Sequence, residues 1–160
     1  MLKEKKKKRG NRKNSGTTKE PSERAAAGLQ KNSLAKQIEE ITADLYYISE
    51  TDALISPFVG HQAQTVSRET ILEQTESAFD SPVEERNFTE FFARLIEIQD
   101  WFGDEERKTA EKYLLLKKLL EKNLRDLKVY KIGKVQIDIY IVGLDAENRL
   151  MGIKTKAVET

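Results

Sequence analysis

Cysteine is absent from this 160-residue chain, and histidine occurs once, as His61. No disulfide or thiolate chemistry is therefore open to it, and one histidine excludes the usual His-rich zinc sets. There is no glycine-rich loop of the kind that cradles phosphate, and no carboxylate pair stands out by spacing from a charge-rich surface. His61, between Gly60 and Gln62, reads as a loop residue rather than a general base. The sequence thus predicts no enzyme and no intrinsic cofactor. Long apolar runs are missing as well, so neither a signal peptide nor a membrane span is expected. The expectation is a cytoplasmic protein with no membrane partner, monomeric when alone, with a nuclear location open if the host is a eukaryote.

Charge of one sign is scarce only in the sum. The formal net charge is +1, yet residues 1–31 carry 11 Lys and Arg against three acidic residues, leaving 17 basic and 24 acidic residues, or −7, for the remainder. The first stretch, with Lys5-Lys6-Lys7-Lys8-Arg9 and Arg12-Lys13, has too little apolar surface to offset the entropy of ordering it. Residues 1–32 are expected to be a disordered basic tail, and residues 33–160 one domain. The tail is either a solvated aid to solubility, a weak nucleic-acid contact or a nuclear address. The acidic body repels phosphates, and its charge is either an ordinary solubilising surface or a match for a basic cleft such as that of a nucleic-acid enzyme.

What is present is periodicity. Leu34, Ile38, Ile41, Leu45 and Ile48 recur at helical steps after Ser33, a residue suited to a cap. Ser49-Glu50-Thr51-Asp52 breaks that pattern, and Ile55 to Val59 reads as a short strand that Pro57 confines to an edge. Ser67 to Gln74 reads as a short helix, with a strand around Ile71-Leu72 as the alternative. Asn87 is spaced as a cap for a helix from about Phe88 to Ile96. The acidic run Asp104-Glu105-Glu106 opens a long helix to about Leu127, whose Tyr113, Leu114, Leu115, Leu116, Leu119, Leu120 and Leu124 predict heavy burial. Strands follow at 129–132 and 135–142, the second with Val135, Ile137, Ile139 and Ile141 alternating with polar residues. A turn at Asp145-Ala146-Glu147-Asn148 leads into a last strand reaching Thr160, which completes an antiparallel meander.

A strand that stops at Thr160 would fix the α-carboxylate and hydroxyl of one residue in place, two hard oxygen donors suited to a cation such as Mg2+ held by another protein. Alternatively, the chain ends where the sheet ends. Trp101, between Asp100 and Phe102, is either an interface anchor or a core side chain, and Glu50 either a ligand for a partner's arginine or a capping or solvated carboxylate.

Taken together, Ser49-Glu50-Thr51-Asp52, Gln99-Asp100-Trp101-Phe102, Val129-Tyr130-Lys131-Ile132-Gly133, Asp138-Ile139-Tyr140-Ile141-Val142-Gly143 and Val158-Glu159-Thr160 resemble the nuclease A inhibitor family. The likeness covers roughly residues 33–160 and leaves the tail outside. It implies an α+β fold, an α-β-α sandwich, and the strands read above give it an antiparallel sheet of about four. It also implies a protein that plugs the active site of a sugar-non-specific, metal-dependent DNA/RNA nuclease. By that resemblance Thr160 would ligate the nuclease's Mg2+ and Glu50 would pair with an active-site arginine. Gln99, Asp100 and Trp101 would form a second contact loop, and Glu159 would stand beside the plug. The competing function is a non-enzymatic nucleic-acid-associated or protein-interaction module working through the basic tail. The chain departs from the family's usual residues at Leu54-Ile55 and near Gly60, beside Glu50, which bears on which nuclease is recognised.

Overall fold

Alternation of β-branched and polar residues in the last third of the chain gives the three longest strands, and everything else is built on them. The computed structural model describes residues 34–160; the expected tail, residues 1–32, and the expected cap Ser33 lie outside the described residues. Residues 34–42 are helical (α1). A small hairpin follows, β1 (Tyr46–Ile48) and β2 (Asp52–Leu54), then β3 (Ser56–Gln62), α2 (Arg68–Gln74), β4 (Val83–Asn87), α3 (Phe88–Ile96) and α4 (Asp104–Asn123). The chain closes with β5 (Arg125–Ile132), β6 (Gln136–Leu144) and β7 (Arg149–Val158). The main sheet has five strands in the order β3-β7-β6-β5-β4, every neighbouring pair antiparallel.

Register decides which side chains share a face. Tyr130 lies opposite Tyr140, Val142 opposite Gly152 and Leu144 opposite Leu150. With Ile132 these residues bury one face under Val66, Ile71 and Leu72, that is, under α2 and its approach. The alternate positions, Val129, Ile137, Ile139, Ile141, Met151 and Ile153, are buried on the other face. There α3 and α4 lie against β5. Their contact is aromatic, with Phe92 of α3 meeting Tyr113 of α4 edge-on at 6.4 Å between ring centroids, and Phe88 packed beside Phe92 on α3. Helices on both faces of an antiparallel sheet make the α-β-α sandwich that was expected.

The differences have local causes. The fifth strand, β4, reads Val-Glu-Glu-Arg-Asn and carries no alternation, because it is an edge strand whose side chains are largely exposed. Charge on an edge deters pairing with another chain, and it also erases the signal. The helical stripe starting at Leu34 ends at residue 42. The Thr42 hydroxyl donates to the Ile38 carbonyl at 2.8 Å, the Leu45 N–H donates to the Thr42 carbonyl, and Tyr46-Tyr47-Ile48 then continue as a strand, as β-formers do. Leu45 is still buried, but Ile48 is 67% exposed.

Helix α4 stops at Asn123, not Leu127. Asp126 takes a left-handed φ of 58° where the β5–β6 register shifts, so a bulge opens β5. In α4 only Ala110, Tyr113, Leu116 and Leu120 are buried; Leu114 and Leu115 are exposed, which narrows the expected burial to one stripe. Residues 68–74 are a helix capped by Ser67, whose side chain accepts from the Thr70 N–H, not a strand at Ile71-Leu72. The edge position of Pro57 and the Asn87 cap, accepting from the Glu90 N–H at 2.9 Å, are as expected. The last strand ends at Val158, two residues before Thr160, to which it was expected to run.

Candidate functional site

The β1–β2 hairpin sets the site. Its strands pair from Tyr46–Leu54 to Ile48–Asp52, so Ser49, Glu50 and Thr51 make a tight connection. The Ser49 N–H donates to the Thr51 carbonyl at 2.9 Å, and the Thr51 N–H donates to the Ser49 hydroxyl. That hydroxyl also accepts the Val158 N–H at 3.0 Å, while the Glu50 N–H donates to the Val158 carbonyl at 3.3 Å. Both backbone groups of the last strand residue are thereby held by the hairpin loop.

The consequence is felt at the next two residues. The Thr160 N–H donates to Glu50 Oε2 at 2.7 Å, and the Thr160 hydroxyl lies 2.8 and 3.0 Å from the two Glu50 oxygens. These donors, the Thr160 backbone N–H first and its hydroxyl second, hold the Glu50 carboxyl below the usual carboxylate range, against a smaller opposing effect of desolvation. Glu159 is fastened separately. Its N–H donates to the Val135 carbonyl at 2.9 Å, and its carboxylate takes the ammonium of buried Lys131 at 2.7 Å. Tyr47, Phe91, Arg86 and Arg94 line a cavity of about 320 Å3 beside that pair, where burial pushes the Tyr47 phenol above its ordinary value.

Gln99, Asp100 and Trp101 stand in a second loop. The Phe102 N–H donates to the Gln99 carbonyl at 3.1 Å, and the ring of Trp101 packs edge-on against Phe102 at 4.7 Å. Asp100 is exposed and Trp101 is 75% exposed, so Trp101 is no core side chain. Gly103 ends the loop as the cap of α4, donating its N–H to Glu106 at 2.9 Å. Of the residues singled out from the sequence, then, Glu50 and Thr160 are bonded to one another. Glu159 adjoins them but is engaged by Lys131, and Gln99, Asp100 and Trp101 belong to a different loop.

Sequence reasoning missed Ser49 and Lys131 as parts of this arrangement. The signal for Lys131 was its place between Tyr130 and Ile132 in a strand with both faces covered, where a lysine needs a partner. Among the described residues no three His, Cys, Asp or Glu side chains are grouped to hold a metal ion. Among the same residues, no helix is long and apolar enough to cross a membrane.

The sequence model of the nuclease A inhibitor-like proteins matches residues 32–160, and the chain belongs to that family. No curated protein matches the chain. The family points to nuclease inhibition by a protein that is not itself an enzyme, with a nuclease as its partner.

Proposed function

We propose that this protein inhibits a sugar-non-specific, Mg2+-dependent DNA/RNA nuclease by setting Thr160, taken as the C-terminal residue, on the enzyme's metal. The observation that carries the reading is the clasp of Thr160 by Glu50. A terminal residue normally frays, and ordering it only on binding would cost affinity. Here the backbone N–H and hydroxyl are tied back, so the carboxylate is left to project. Because the hydroxyl donates its hydrogen bond to Glu50, its lone pairs stay available for a hard cation that prefers oxygen ligands. A carboxylate on that metal imitates the scissile phosphate in charge and in ligation, which leaves substrate no place.

Glu50 accepts two donors and, as a carboxylate, has lone pairs to spare. They suit an arginine of the nuclease that would otherwise hold phosphate. Trp101 supplies an exposed aromatic anchor of the kind that dominates interface energetics, with Gln99 and Asp100 as its polar neighbours and Glu159 bracing the plug. The only metal in this reading is the partner's Mg2+; the inhibitor acts as a monomer, in the cytoplasm. Weak nucleic-acid contact by the basic tail is a secondary reading that rests on charge alone.

The test is an inhibition titration of such a nuclease with the native chain, a chain lacking Thr160 and a chain extended beyond Thr160. The extension converts the carboxylate to an amide and blocks entry. Both changes should abolish most inhibition while leaving the melting temperature nearly unchanged. Equal potency of all three rejects the plug.

A further inference from the structure

A second feature lies on the other side of the same hairpin. A cavity of about 520 Å3 opens between β1–β2, the end of α3 and the first turns of α4. Its apolar lining comes from Ile48, Leu95, Phe102 and Tyr113. Around these stand the carboxylates of Asp44, Asp52, Glu97 and Glu105, and Arg94 is the one cation among the described lining residues. The walls are fixed in advance, because the Tyr113 hydroxyl donates to the Tyr46 carbonyl at 2.7 Å and ties the hairpin to α4. The rim carboxylates are not grouped to hold a metal ion, and they stand exposed around the apolar floor, an arrangement whose charge complement is a cationic segment rather than an ion. Large apolar side chains at the edge, Ile48 among them, stand in water without a cover from the described residues.

We infer that this groove receives a segment of the nuclease that carries Lys or Arg beside an apolar side chain, an inference that rests on the inhibitor reading above. Apolar floor and acidic rim match such a segment in both respects, and a preformed groove keeps the ordering cost low. Ile48 leads directly into Ser49 and Glu50, so groove and plug engage one partner side by side. By contacting protein surface beside the metal, the groove can discriminate between nucleases that the metal plug alone would not tell apart.

The experiment measures association and dissociation of the full chain with a sugar-non-specific nuclease of the same organism, in Mg2+ and in EDTA. In one variant Asp52→Lys and Glu97→Lys are combined, two exposed carboxylates on separate elements; a second lacks Thr160. Charge reversal should slow association about tenfold at low salt, in both media, whereas loss of Thr160 should weaken only the Mg2+ complex. A photo-crosslinking residue at Ile48 should capture a nuclease peptide with Lys or Arg next to an apolar residue. If charge reversal changes nothing while loss of Thr160 still weakens the Mg2+ complex, the groove is overturned and the plug stands. If neither change alters binding, both are overturned. A captured acidic peptide would also overturn the groove.

Discussion

Glu50 was legible in the sequence as a carboxylate in a loop, and its tie to Thr160 was not. The two are 110 positions apart, and no pattern in either segment records that the hairpin tip folds over the end of β7. The clasp gives a definite pH response. The folded carboxyl sits below its ordinary value, so its contribution is fully present above the ordinary carboxylate pKa and is lost as pH falls through the lowered one. The Thr160 amide resonance should therefore be fixed at neutral pH and shift to a frayed position only in acid. Glu50→Gln should bring the frayed position to neutral pH and weaken inhibition by about tenfold, the scale of one lost charge-assisted hydrogen bond. An unchanged Thr160 resonance in that variant would contradict the clasp.

At the scale of elements, period-two alternation was plain in β6, where Ile137, Ile139 and Ile141 alternate with Gln136, Asp138 and Tyr140, but the first residues of β5 were absorbed into the helical pattern before them. It failed for β4, where neither face is well buried, and at Ile48, where a helical step was continued by coincidence into a strand. Trp101 shows the same limit: its residue type is equally at home in a core, and only the loop that carries it leaves it exposed. Close strand packing supplies a prediction at this scale. A Cβ on Gly152 would collide with the carbonyl oxygen of Ile141 on the neighbouring strand, backbone that cannot swing aside. Gly152→Ala should cost about 1–3 kcal/mol, as over-packing does, read as a lower urea midpoint with an unchanged slope. Stability equal to the native chain would mean that β6 and β7 are not packed in this register.

At the scale of the whole molecule, the division of charge was visible from composition alone, while the gathering of Asp44, Asp52, Glu97 and Glu105 around one groove was not. The body carries −7 and the first 31 residues +8, so if the nuclease's cleft is basic the full chain is drawn to it less strongly than the body alone. A chain beginning at residue 32, where the family match starts, should associate faster than the full chain at low ionic strength. The advantage should shrink as salt rises, because charges beyond about 10 Å are screened at 0.1 M. An equal or slower rate would show that the tail contributes attraction of its own.

Whether Thr160 ligates the partner's metal can be read directly. Replacing Mg2+ by Mn2+ in the complex, with threonine carrying 13C throughout the inhibitor, puts a paramagnetic centre where the plug is proposed to bind. Electron–nuclear double resonance should then show a 13C coupling to the metal, and the coupling should vanish on deletion of Thr160. Full inhibition with no 13C coupling would rule out Thr160 as a ligand of the metal.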